Sequence, residues 1–319
     1  MTEQGVVVLS LSPALDRTLR VEALHPGEVH RPTWTDERAG GKGANVVRTL
    51  HRHGVAATLV TALGGVQGDA FRTLARREGL TLVEVTVQAP TRVCSTVLDP
   101  QGATSFYEPT GELREQDWAS LLDAVRELLP ARALVLTGSL PPGLPPDALG
   151  GFATAANTAR TPLWADVGGT GLRELAGLGA FVWPNLFEAR QALGLDDDQH
   201  EPVHGKPGGP AVADAAACAL VDLGATAAAV SCGPDGVALA VQGQATRHLG
   251  VPPTIVRNPV GAGDVLLGAT LAVLDSEGPG EPSLERALAY GVRLASMSCE
   301  TDAATDLPQG VMAGDLAMP

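Results

Sequence analysis

The sequence predicts an α/β fold: a mostly parallel β-sheet covered by helices on both faces, with a small second sheet beside it. Three observations predict it. Short, nearly continuous apolar runs alternate with longer stretches of helical spacing, the pattern of parallel strands buried on both sides. The helical stretches end in Gly or Pro, so each reads as a discrete crossover. Two segments, 17–34 and 91–109, carry no helical face and read as strand-rich excursions from that core.

The first strand reads over 5–10 (GVVVLS), followed after the first excursion by a helix over 43–54 (GANVVRTLHRHG). A strand over 57–63 (ATLVTAL) and a helix over 69–79 (DAFRTLARREG) come next. The second excursion reads as a hairpin, with DPQG at 99–102 as its turn. A helix over 115–130 leads to strands over 132–138 (RALVLTG), 161–168 (TPLWADVG) and 180–185 (AFVWPN). A helix over 208–224 and a strand over 226–233 (TAAAVSCG) follow, and an apolar helix opens after the glycines of NPVGAGDVLLGATLAVL, which starts at Asn258. No repeat or low-complexity linker divides residues 1–319, so one domain is expected. The two excursions suit a lid over the carboxyl ends of the core strands, where ligands bind in open α/β sheets.

Composition narrows the function. The formal net charge of −14 argues against a nucleic-acid backbone as partner. No apolar run reaches the length of a membrane span. The first residues, MTEQGVVVLSLSPALD, lack a basic segment before their apolar run, so no secretory signal is expected. Cys94, Cys218, Cys232 and Cys299 are scattered without a CxxC pair, which reads as free thiols in a reducing cytoplasm.

The chemistry centres on Asp264. Gly261 and Gly263 let the backbone turn sharply and approach a ligand, and the helix that follows presents unpaired N–H groups and a positive dipole end. That is an anion site, and a carboxylate inside it can take a proton from a hydroxyl that attacks the anion. Asp264 reads equally as an ordinary first-turn Asp stabilised by the dipole. RAGGKGANVVRTL, 38–50, is a second glycine loop ahead of a helix, with Gly40, Gly41, Lys42, Gly43 and Asn45; it is neither a Walker A loop nor GxGxxG. Asp16 follows the first strand beside a Pro and also reads as a turn Asp. TGSLPPGLP, with Ser139, is a rigid turn after a buried strand, and it does not satisfy G-x-S-x-G. Asn185 and Glu188 stand three apart at a helix start, which fits a capping pair or an outer-shell magnesium site. HEPVH at 200–204 matches a zinc-protease string, but Pro202 prevents the helix that string requires, and DDD at 196–198 reads as a solvated loop.

In this order, PALD (13–16), GGKGANV (40–46), TR (91–92), GSLPPGLP (138–145), PNLFE (184–188), SCGPDG (231–236) and VGAGD (260–264) resemble the ribokinase-like (PfkB) sugar kinase family. Within it they are most similar to the 1-phosphofructokinase and tagatose-6-phosphate kinase branch. The resemblance runs over nearly the whole chain. It implies a ribokinase-like three-layer αβα core with a small β-sheet lid, and ATP-dependent phosphorylation of a ketohexose phosphate. Fructose 1-phosphate is the expected acceptor; tagatose 6-phosphate and fructose 6-phosphate are alternatives, as are a kinase for a non-phosphorylated sugar and a non-catalytic sugar-phosphate-binding regulator. The resemblance makes Asp264 the catalytic base and the Gly261–Ala262–Gly263 amides its anion hole. It makes Asp16, Gly40, Gly41, Asn45 and Ser139 substrate contacts, with Lys42 and Arg92 on the sugar phosphate. Ser231, Gly233 and Gly236 would lie at ATP, and Asn185 and Glu188 would position Mg²⁺ and phosphate, Glu188 acting on the metal indirectly. It also implies a homodimer that pairs the two lids. Ser12 and His30 stand where the branch commonly has Asn, and Trp183 stands where it has Lys, which removes a cation near the nucleotide phosphates.

Overall fold

The computed structural model describes residues 5–195, 209–276 and 284–308. Its strands are β1 Val6–Ser10, β2 Ala14–Arg20, β3 Trp34–Gly40, β4 Ala57–Leu63, β5 Leu82–Thr86, β6 Arg92–Asp99, β7 Gly102–Tyr107, β8 Ala133–Thr137, β9 Leu163–Asp166, β10 Phe181–Val182, β11 Ala227–Ser231, β12 Val237–Val241 and β13 Arg247–Leu249. Its helices are α1 Lys42–Arg52, α2 Gly65–Arg77, α3 Glu115–Glu127, α4 Ala148–Thr158, α5 Gly169–Gly177, α6 Leu186–Ala192, α7 Gly209–Asp222, α8 Ala262–Ser276 and α9 Leu284–Ser298.

Nine strands form the large sheet in the order β13-β12-β11-β10-β9-β8-β1-β4-β5. From β5 to β11 neighbouring strands run parallel, and β12 alone is reversed, antiparallel to both β11 and β13. Alternate residues of β1 explain why both faces need helices: successive side chains point to opposite sides. Val7 and Leu9 join the cluster that holds Trp118 of α3, Phe152 of α4, Leu175 of α5 and Leu220 of α7. Val6 and Val8 join the cluster that holds Leu50 of α1, Phe71 of α2, Leu267 of α8 and Leu288 of α9. These are the three layers the apolar runs predict.

The smaller sheet has the order β3-β2-β6-β7. Its first half departs from the sequence expectation. Strands run over Ala14–Arg20 and Trp34–Gly40, while 21–33 is mostly loop, so Asp16 lies inside a strand and not in a turn. The hairpin β6–β7 turns at Asp99, whose carboxylate Oδ1 accepts from the Gln101 and Gly102 amides at 2.8 and 3.1 Å. β2 pairs with β6 in parallel, which sets Ala14 beside Arg92 and Asp16 beside Cys94.

Candidate active site

Several residues singled out from the sequence, joined by Asp166, lie at or beyond the carboxyl ends of the parallel strands. Asp16 follows β1, Ser139 follows β8, Asp166 ends β9, Asn185 follows β10 and Ser231 ends β11. These strands are consecutive neighbours in the sheet. The loop ahead of α1 and the loop ahead of α8 close over that edge.

The α8 loop is anchored from its own start. Asn258 is 2 % exposed; its Oδ1 accepts from Val260 N at 3.0 Å, and its Nδ2 donates to Asp302 O at 2.9 Å. Gly261 takes φ +81°, and a Cβ there would lie 2.6 Å from Thr305 Cγ2. Only glycine fits both demands. Asp264 then falls in the first turn of α8 and is buried. Its Oδ2 accepts from Asn45 Nδ2 at 2.7 Å. Burial, and then the charge of Asp166, push its carboxyl up to about 8, against the opposing pull of Lys42 and the Asn45 hydrogen bond. A buried carboxylate so placed is a competent proton acceptor near neutral to alkaline pH.

Asp16 sits against the Gly40–Gly41 loop. Its Oδ2 accepts from Gly41 N at 3.1 Å, and a Cβ on Gly40 would lie 2.0 Å from its Cγ. Burial pushes this carboxyl up to about 6, opposed by the Gly41 N–H and the charges of Arg48 and Arg92. Arg92, at the start of β6, donates from Nη1 to Glu108 O at 3.3 Å, while its Nε is buried with no partner.

Lys42, which the resemblance places on the sugar phosphate, is paired with carboxylates of this chain. Its Nζ donates to Asp166 Oδ1 at 2.8 Å and to Glu188 Oε1 at 2.9 Å. Burial works against its charge, yet Asp166, Glu188 and Asp264 together hold the ammonium well above its ordinary range. Asp166, which also accepts from Thr137 Oγ1 at 3.0 Å, is a site residue the sequence did not disclose. It reads there as one more Asp at the end of an apolar run, and its only signal is that the run ends at the ligand edge of the sheet.

Asn185 and Glu188 form the capping pair, the first of their two sequence readings. Asn185 Oδ1 accepts from Glu188 N at 2.8 Å and Glu188 Oε2 accepts from Asn185 N at 2.9 Å, a reciprocal cap on α6. The cap uses Oε2 and leaves Oε1 to Lys42. Ser231, Gly233 and Gly236 lie farther along the same edge, where residues 233–235 form a single helical turn. Ser139 is exposed. Trp183, 5 % exposed, packs its ring 5.3 Å from that of Trp164, so this side chain fills the core. Ser12 shares a 2.7 Å hydrogen bond with Thr110, and His30 bonds back to His25 within the 21–33 loop. The HEPVH and DDD stretches lie outside the described residues.

An α/β fold with a buried carboxylate in the first turn of the helix after one glycine loop, and a second carboxylate bonded to another glycine loop, is the frame of a carbohydrate kinase. The family model described as "pfkB family carbohydrate kinase" matches residues 4–309, and the chain belongs to that family. It is 30% identical over 324 residues to the 1-phosphofructokinase of Xanthomonas campestris pv. campestris, covering 98% of this chain and 96% of that one. It is 28% identical over 294 residues to the 1-phosphofructokinase of Bacillus subtilis, covering 91% of each. Among solved structures, Escherichia coli phosphofructokinase-2 in complex with fructose-6-phosphate superposes with a TM-score of 0.81 at 26% identity, over 98% of this chain and 99% of that one.

Proposed function

We propose that the protein transfers the γ-phosphoryl group of ATP to a hydroxyl of a ketohexose phosphate, with fructose 1-phosphate as acceptor and fructose 1,6-bisphosphate as product. The observation that carries this reading is the Asp264 carboxylate, buried in the first turn of α8 against Asn45, with Asp16 held by the glycine loop. Asp264 orients the acceptor hydroxyl and takes its proton. The Gly261–Ala262–Gly263 amides stabilise charge on the transferred group. Asp16, Gly40, Gly41, Asn45 and Ser139 bind the sugar. Ser231, Gly233 and Gly236 border the nucleotide.

Two features refine the roles of the cations. Lys42 stands among Asp166, Glu188 and Asp264, so we assign it to the phosphoryl group in transfer rather than to the distal phosphate. Arg92, with its unpartnered Nε, is left to hold the substrate's own phosphate. Mg²⁺ fits the charge here: Lys42 is paired with two carboxylates, Asp166 and Glu188, and feels the charge of Asp264. Among the described residues no three metal-binding side chains converge, so Asp166 and Glu188 would hold the ion together with phosphate oxygens. The ion supplies charge neutralisation on the phosphates.

Arg92→Ala is expected to raise the KM for the sugar phosphate by about 10- to 100-fold, the worth of a charge-assisted contact to phosphate, with the KM for ATP within about twofold. Initial rates with each substrate varied in turn check this; an effect confined to ATP contradicts it. The acceptor itself is identified by ADP release against a panel of fructose 1-phosphate, fructose 6-phosphate, tagatose 6-phosphate and fructose. Preference for fructose over every phosphorylated sugar overturns the substrate class. Fructose 6-phosphate is the second reading, since the E. coli structure above holds it.

Assembly follows from the smaller sheet. Pairing register puts Leu19, Val93, Val97 and Phe106 on one face, and Phe106 is 60% exposed. We propose that a second copy covers this face in a homodimer, as apolar sheet faces seldom stay bare. Val97→Asp should then shift light scattering from dimer to monomer at micromolar concentration. A wild-type protein that is already monomeric and fully active there rules the dimer out. No nucleic-acid or membrane partner enters this reading, and four free thiols support a cytoplasmic setting.

A further inference from the structure

Arg48 lies one turn beyond Asn45 on α1 and is 6 % exposed. A buried arginine needs partners for all its donors, and the partners of this one are informative. Its Nη1 donates to Asn45 Oδ1 at 2.6 Å, its Nη2 to Ala39 O at 2.7 Å, and its Nε to Glu78 Oε2 at 2.8 Å. The other oxygen of Glu78 accepts from Ala39 N at 3.3 Å. The Arg48–Glu78 pair therefore binds both backbone polar groups of Ala39, at the end of β3 and directly ahead of the Gly40–Gly41 loop.

The contact to Asn45 decides which way that amide points. A guanidinium carries donors only, so the atom it meets must be the amide oxygen. The amide nitrogen is thereby turned to Asp264, where it donates to Oδ2. The reversed amide would set donor against donor at Arg48 and acceptor against acceptor at Asp264.

We infer that Arg48 is a positioning residue for phosphoryl transfer: through the Asn45 amide it sets the orientation of the Asp264 carboxylate, and through Ala39 it ties that orientation to the end of the smaller sheet. The inference rests on Asp264 being the base. Lysine cannot replace this arginine, because a single ammonium on a flexible stem does not hold three directed contacts in one plane.

The groups that face Asp264 are Asp166 from β9, Asp16 from β2, and Lys42 and Asn45 from α1. Of these, the Asn45 amide is the one Arg48 holds by a hydrogen bond. Losing a donor to the charged carboxylate favours its protonated form, so the acid limb of kcat/KM moves to higher pH.

Arg48→Lys, Asn45→Ala and the double variant, assayed by ADP release with ATP and fructose 1-phosphate, test this. Arg48→Lys alone should lower kcat by on the order of 10-fold, as loss of an orienting contact behind a catalytic group does, and should move the acid limb upward. Its KM for ATP should stay within about twofold. In the Asn45→Ala background the same change should alter kcat by less than about twofold, because the contact it acts through is gone. Melting curves show that each variant is folded; if Arg48→Lys is not, Glu78→Gln releases one anchor of the guanidinium and should give the same pattern with a smaller loss. Equal losses in both backgrounds, or an unmoved acid limb, overturn the positioning role while leaving the kinase reading intact. A wild-type enzyme without turnover on any acceptor overturns the kinase reading, and this inference with it.

Discussion

Asp264→Asn is expected to lower kcat by about 10²–10⁴-fold, the usual cost of removing a general base, with the melting temperature and both KM values close to wild type. The side chain keeps its size, so α8 and the Gly261 turn keep their geometry. The pH dependence gives an independent check. Burial and the neighbouring Asp166 push this carboxyl up to about 8, and only its deprotonated form accepts a proton. Activity as kcat/KM should therefore rise with pH and level off above about 8, and fall as the carboxyl protonates below it. The Asn variant should lose that limb. Wild-type kcat in the variant, or an acid limb that survives the substitution, contradicts the role.

Lys42→Met should be the most damaging change away from the base. It leaves Asp166 and Glu188 facing each other with no cation between them. Their side chains are 6% and 13% exposed, whereas Lys42 itself is 33% exposed, so water screens part of the loss. A destabilisation of about 2–3 kcal/mol is expected, at or below the low end for a broken buried pair. Because the ammonium is assigned to the phosphoryl group in transfer, kcat should fall by about 10²–10³-fold, as for a lost transition-state donor. Lys42→Arg should recover stability better than rate. A loss confined to the KM for sugar phosphate would instead return Lys42 to the distal phosphate, the role the motif alone suggests.

That difference shows where the sequence is informative. GGKG announces a lysine at a ligand loop but not its partners, because Asp166 and Glu188 are 124 and 146 residues away in the chain. Most of the parallel strands are legible since they are largely apolar, but β5, LVEVT, is interrupted by Glu84 and is missed. Helices α4 and α5 are not, because Gly150, Gly151, Gly169, Gly171 and Gly177 blur their spacing. β3, WTDERAG, lacks an apolar alternation, being an edge strand whose outward face is wet; this is why the first half of the smaller sheet is misplaced from sequence. Arg48 passes for a surface charge at i+3 from Asn45. It stands with Thr49 between Val47 and Leu50, and nothing in that stretch marks it as buried.

The most direct test of the whole reading pairs turnover with binding in the same samples. Wild type and Asp264→Asn are mixed with ATP, Mg²⁺ and fructose 1-phosphate; ADP release is followed, and the melting temperature is recorded with the sugar phosphate alone. A base at Asp264 predicts that both proteins are stabilised alike by the sugar phosphate and that only wild type releases ADP at a substantial rate, one equivalent per fructose 1,6-bisphosphate formed. Stabilisation of both proteins with no acceptor-dependent ADP release from either would make this chain a sugar-phosphate-binding protein and contradict the kinase.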